Sequence, residues 1–255
     1  KPSLFPDITY SFYDVWAELF RIPYKQMPLD ENFRLKIDDY KGENGGIVFP
    51  NPNAPTGIYE SLDHVEEIIK NNPDVIVIVD EAYIDFGGET ALPLIDKYDN
   101  LVVVRTFSKS RSMAGLRIGY AISNPELIKA LNDVKYSYNS YTMNRPSLVL
   151  GVESIHDDAY FREKVGQIIA TRERFVKEIA ELGFTCLPSS ANFVFATHES
   201  IPAKEIFAAA KENNIYVRYF DKPRIDNYLR ISIGTDAEMD AFVAFLKGYV
   251  ETKQN

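Results

Sequence analysis

Val75-Ile76-Val77-Ile78-Val79-Asp80-Glu81-Ala82-Tyr83 is the stretch that decides the fold. A continuous β-branched run makes a strand with no polar face, and such strands sit in parallel sheets covered by helices. Carboxylates follow it at once, at the carboxyl end, where open α/β sheets gather their ligands. Leu101-Val102-Val103-Val104 repeats the arrangement and runs into Arg105-Thr106-Phe107-Ser108-Lys109. Gly46 to Phe49 is a shorter apolar run before a Pro/Asn cluster, and Leu116 to Ser123 is another. Between them, Ser61 to Asn71 predicts a helix capped by Ser61, with Leu62, Val65, Ile68 and Ile69 on one face. A further helix opens at Pro125-Glu126-Leu127. This alternation predicts an α/β fold with a mostly parallel sheet.

The second half has a different rhythm. A long helical pattern runs from about Asp157 to Leu182 and stops at Gly183. Strand-like runs follow at Asn192–Ala196, Ile215–Phe220 and Tyr228–Ile233, with helical stretches at Ala203–Asn213 and Asp236–Tyr249. The expectation is a large domain over residues 1–145 and a smaller α+β domain over residues 146–255.

Composition narrows the function. The chain has 255 residues, 45% hydrophobic and 25% charged, with a net charge of -9. An acidic average repels a polyphosphate, so no nucleic-acid partner is expected. No apolar run is long enough to span a bilayer, so no membrane partner is expected either. The single cysteine, Cys186, rules out an intrachain disulfide and fits a reducing cytoplasm. His64, His156 and His198 lack ligand spacing, and no metal is expected.

The ends of the buried runs carry the chemistry. A pyridoxal 5'-phosphate site needs an amine to bond the cofactor aldehyde, a carboxylate to keep the ring nitrogen protonated, and a donor facing the phenolic oxygen. It also needs hydroxyls and an arginine for the phosphate. Lys109, Asp80, Tyr83, then Thr106 with Ser108 and Arg117, supply these parts in turn. Glu81 is surplus to that set and reads as structural. Arg117 lies in an apolar run between glycines, where an unpaired charge is costly. Gly87-Gly88 reads as a turn, and Tyr136 to Tyr141 as either a site edge or a packing surface.

At these residues the chain resembles the class I/II aminotransferases of fold type I. Asp80-Glu81-Ala82-Tyr83, Thr106-Phe107-Ser108-Lys109 and Gly115-Leu116-Arg117-Ile118-Gly119 look like that family's cofactor motifs. Asn51-Pro52-Asn53-Ala54-Pro55-Thr56-Gly57 is similar to its Asn-Pro-Thr-Gly loop, and Pro6 to Tyr13 resembles the segment whose aromatic, here Tyr10, stacks on the pyridine ring. Val217-Arg218 with Leu229-Arg230-Ile231-Ser232-Ile233-Gly234 resembles the histidinol-phosphate aminotransferase branch, in which both arginines hold the substrate's phosphate. The resemblance implies catalytic roles for Lys109, Asp80 and Tyr83, and cofactor contacts from Tyr10, Asn53, Thr106, Ser108 and Arg117. It implies substrate contacts from Arg218 and Arg230. The implied reaction is amino transfer from L-histidinol phosphate to 2-oxoglutarate, a step in histidine biosynthesis, by a homodimer acting on small molecules. The alternatives are an aromatic or other amino-acid aminotransferase, a lyase like threonine-phosphate decarboxylase, or a cofactor-free relative.

There are two departures from the family pattern. Ala54 stands where the family places an asparagine that bonds the phenolic oxygen, leaving Asn53 beside it as the nearest amide. The chain also begins well inside the family's large domain and lacks an initiator methionine, so an N-terminally incomplete copy is expected.

Overall fold

The computed structural model describes residues 1–254. Six strands form the first sheet: β1 (Ser3–Pro6), β2 (Tyr24–Met27), β3 (Ile47–Pro50), β4 (Val77–Asp80), β5 (Leu101–Thr106) and β6 (Gly119–Ile122). Their order is β2-β1-β3-β4-β5-β6. All neighbours are parallel except β6, which pairs antiparallel with β5. Helix α1 (Tyr13–Leu19) links β1 to β2, and α2 (Leu62–Lys70) links β3 to β4. Ser61 caps α2, its side chain accepting from the His64 amide, as its position before an apolar stripe predicts.

From β1 the chain first builds outward to β2, then crosses back to place β3 on the other side. The loops after β1 and β3 therefore part at this point. Such a switch point opens a crevice at the carboxyl ends of the strands.

The observed β4 starts two residues later than the apolar run and takes in Asp80, because its register is set by both neighbours. Val79 lies opposite Phe49 and Val103, and Asp80 opposite Pro50 and Val104. The expected burial on both faces holds for one face only. Val77 and Val79 are fully buried with Phe49, Ile68, Leu101 and Val103. On the other face Val48, Ile78 and Val104 line an open groove with Phe5, Phe20 and Trp16 of α1.

Three helices then lead into the second sheet: α3 (Pro125–Tyr138), α4 (Arg145–His156) and the long α5 (Asp158–Ala180). Gly183 ends the last of these turns at φ 84°, a conformation that costs a residue without Cβ little. The second sheet has the order β7-β8-β10-β9 and is antiparallel throughout. Its strands are β7 (Phe184–Cys186), β8 (Phe193–His198), β9 (Arg218–Tyr219) and β10 (Leu229–Ser232), with α6 (Ala203–Glu212) and α7 (Asp236–Gln254) beside them. Phe175 and Ile179 of α5 and Phe242 and Leu246 of α7 bury one sheet face in a single apolar core. Among the described residues no helix is long and apolar enough to cross a membrane.

Candidate active site

Loops from the carboxyl ends of β1, β3, β4 and β5 surround a cavity of about 400 Å³. Its lining includes Tyr10, Ala54, Asp80, Tyr83, Thr106, Ser108, Lys109 and Arg117. Seven of the eight cofactor residues expected from sequence are thus brought together, from the segments that follow β1, β4 and β5. The antiparallel turn into β6 returns the chain, so that Arg117 reaches the same rim as Thr106, whose backbone neighbour on β6 is Gly119.

Asp80 lies at the floor. Its Oδ2 accepts from the Tyr13 hydroxyl at 2.9 Å and its Oδ1 from the Ala82 amide at 3.1 Å. Burial raises its pKa above the usual carboxylate value, while the Tyr13 and Ala82 hydrogen bonds and the charge of Lys109 pull it back. The Tyr13 phenol is pushed well above its usual range, first by burial and then by the Asp80 charge. Tyr13 is therefore a member of the site that sequence reasoning missed. Its signal was its place three residues after Tyr10, where the turn that leads into α1 brings both rings together at 5.6 Å.

Lys109 Nζ sits 5.4 Å from the centre of the Tyr83 ring. Thr106 donates its hydroxyl to Ser108 Oγ at 2.9 Å, and the Ser108 amide donates back to Thr106 Oγ1. Both hydroxyls face the rim that carries Arg117. Arg117 departs from the expected cost of burial: it is exposed, left-handed at φ 56°, and donates Nη1 to Ala114 O. A charged side chain on an apolar stretch is free to turn outward where the backbone turns with it.

Asn53, the eighth residue expected, is not in the cavity lining. Its Oδ1 accepts from Thr9, and its Nδ2 donates to Ile8 O and Thr56 Oγ1. Those bonds occupy the amide within the loop, and Ala54 presents only a methyl group to the cavity. Tyr136, Tyr138 and Tyr141 are exposed and do not line the cavity either. Glu81 is buried and paired with Arg105 at 2.8 Å, with Thr90 and the Ala91 amide completing its bonds. That is the structural role read for it.

Arg218 and Arg230 lie outside the cavity lining, on the second sheet. They are direct partners across β9 and β10. Among the described residues neither has an acidic partner, and Arg230 Nε is buried without a hydrogen bond. Burial, with the nearby Arg218 charge, holds Arg230 below the usual guanidinium value. Its guanidinium carbon is 5.3 Å from the Phe193 ring centre, and the Phe193 ring meets Tyr83 edge-on at 5.1 Å. Phe193, also missed from sequence, thus joins the arginine to the cavity wall. Two like charges opposed on adjacent strands are destabilising unless an anion bridges them.

The donor set fits a pyridoxal phosphate: a carboxylate held ready at the floor, an amine above it, a phenol to one side and hydroxyls with a guanidinium at the rim. The family model for aminotransferase class I and II matches residues 2–246. The histidinol-phosphate aminotransferase of Lactococcus lactis subsp. lactis is 51% identical over 254 residues, covering the whole of this chain and 71% of that protein. The histidinol-phosphate aminotransferase structure from Clostridium acetobutylicum superposes with a TM-score of 0.92 at 24% identity, covering 99% of this chain and 78% of that one. The Sinorhizobium meliloti enzyme of the same name, solved with pyridoxal-5'-phosphate, gives 0.88 at 24%, covering 98% and 70%. The chain belongs to the class I and II aminotransferases.

Proposed function

We propose that the protein is a pyridoxal-phosphate-dependent aminotransferase that moves the amino group of L-histidinol phosphate to 2-oxoglutarate. It would yield imidazole acetol phosphate and glutamate. The observation that carries the substrate choice is the opposed pair of exposed Arg218 and half-buried Arg230, without an acidic partner among the described residues and with Nε of Arg230 unpartnered. A dianion is the ligand such a pair takes best. The 51% identity to the Lactococcus enzyme supports the same substrate.

When bound, the cofactor supplies an aldehyde that takes up the substrate amine and a ring that accepts the electrons released at Cα. Lys109 is the residue that would hold that aldehyde, and its Nζ is the base that would take the proton from the substrate Cα. Asp80 would keep a proton on the ring nitrogen by pairing its charge there. Tyr83 would donate to the phenolic oxygen, since Ala54 offers no donor. Tyr10 would cover the ring, and Thr106, Ser108 and Arg117 would hold the phosphate. Arg230, with Arg218, fixes the substrate's phosphate in one half-reaction and a 2-oxoglutarate carboxylate in the other.

The reading divides the chain at about residue 145, with the cofactor residues in 1–145 and the substrate arginines in 146–255. It includes a cytoplasmic homodimer. The lone Cys186 supports a reducing compartment. The exposed apolar row Leu148, Val149, Val152 and Ile155 on α4 supports a subunit contact.

The test is direct. The purified chain mixed with cofactor should gain an absorbance band that borohydride fixes covalently, and Lys109→Ala should not. Assays with L-histidinol phosphate should outpace aromatic and branched amino acids. Faster turnover of those acids would remove the substrate assignment, and an absent band would remove the cofactor assignment.

A further inference from the structure

Arg172 lies in the middle of α5 at 5% exposure. It interrupts a helical stripe, Val165, Ile168, Phe175 and Ile179, whose other members are apolar. A guanidinium there is costly unless its donors are engaged. Nη1 donates to Phe86 O at 2.9 Å and to Ala191 O at 2.8 Å. Nε and Nη2 donate to Glu173 Oε1 at 3.1 and 2.9 Å, at the exposed edge.

The two carbonyls are informative. Phe86 closes the short turn that begins at Tyr83, its amide donating to Tyr83 O. Ala191 stands just before Phe193 and packs with Phe193, Ala54 and Tyr83. One cation therefore grips both backbone segments whose rings meet, Tyr83 and Phe193. Phe193 in turn carries Arg230 on its face. Both bonds leave one nitrogen, Nη1, while Nε and Nη2 are held by Glu173, so the rigid guanidinium plane fixes the direction of Nη1 more tightly than a flexible lysine stem would.

We infer that Arg172 is a positioning residue that sets the Tyr83–Phe193 contact and, through it, the placement of Arg230 relative to the cofactor cavity. The inference rests on the roles proposed above for Tyr83 and Arg230.

The experiment compares cofactor-loaded parent, Arg172→Met, Arg172→Lys and Glu173→Gln. It measures KM and kcat with L-histidinol phosphate, and the bound-cofactor spectrum against pH and against inorganic phosphate. Arg172→Met should raise KM about tenfold with a smaller change in kcat, the mark of lost binding rather than lost chemistry. Its phosphate midpoint should rise by a similar factor, and the pH at which its band titrates should move as Tyr83 shifts. Arg172→Lys should recover part of each change, and it carries the test if the methionine variant does not fold. Glu173→Gln keeps both carbonyl contacts and should match the parent. A lowered melting temperature with parental KM, phosphate midpoint and band titration in both Arg172 variants would overturn the inference. So would a Glu173→Gln variant that reproduces the changes seen with lysine. A parent spectrum indifferent to phosphate would instead bring down the anion reading of Arg230, and the inference with it.

Discussion

The Tyr13 hydroxyl donates to Asp80 Oδ2 at 2.9 Å, tying the first turn of α1 to the end of β4. The bond stabilises the charged carboxylate at the cavity floor, against the burial that favours its protonation. It links the Tyr10 segment, which follows β1, to the acid proposed above to hold the cofactor's ring nitrogen.

Tyr13→Phe should therefore let the Asp80 pKa rise further and weaken its hold on the ring proton. A hydrogen bond to a charged group is worth about 2 kcal/mol, so kcat should fall about tenfold or somewhat more. The acid limb of the kcat–pH profile should move to higher pH. An unchanged profile would show that the phenol does not support the acid.

Asp80→Asn should separate stability from activity. A carboxyl whose folded pKa is raised contributes stability that is present in full below its unfolded pKa and lost as pH rises through the folded value. At neutral pH the ionised Asp80 therefore destabilises the cofactor-free protein. The asparagine variant should melt above the parent at pH 7, and the difference should close below about pH 4, the unperturbed carboxylate range. Amino transfer should fall by about a hundredfold or more, as for other preorganised charges. Melting curves at both pH values check the first statement, and turnover the second.

Arg230→Gln should raise KM for a phosphate-bearing substrate by about a hundredfold, the loss of a charge-assisted contact of about 2–3 kcal/mol. In anion-free buffer the same variant should melt no lower than the parent, since it removes a half-buried charge that faces Arg218. Inorganic phosphate should raise the parent's melting temperature more than the variant's. Equal shifts would place the anion elsewhere.

Asn53→Ala should act on the fold before the chemistry. The amide joins Ile8, Thr9 and Thr56, so its removal leaves buried partners unsatisfied at a cost of about 2–4 kcal/mol. Thermal melts should show that loss. Cofactor release should also quicken, because Tyr10 follows directly on the loosened Ile8-Thr9. A variant that melts like the parent would return Asn53 to the list of direct cofactor contacts.

The parts of the fold with regular patterns were legible in the sequence. The α2 stripe with its Ser61 cap and the Gly183 stop of α5 came out within a residue or two of their positions. The short elements did not: β1, β2, α1 and β7 carry too few residues for a period to show. Tyr136 to Tyr141 could be read from composition as a site edge or as a packing or dimer surface, and the chain places the rings exposed and outside the cavity.

What the sequence by itself determined is the kind of chemistry. Lysine, aspartate, tyrosine and arginine follow strand ends in a fixed order, and strand ends in a parallel sheet converge, so Lys109, Asp80, Tyr83 and Arg117 could be assigned together. What only the tertiary structure decided is where each amide, ring and charge spends its bonds. Asn53 turns into its own loop because three partners lie there, and Tyr13 reaches Asp80 across a strand. Arg172 binds two carbonyls far apart in the chain. Those choices depend on distances between segments remote in sequence, which packing fixes and local pattern does not record.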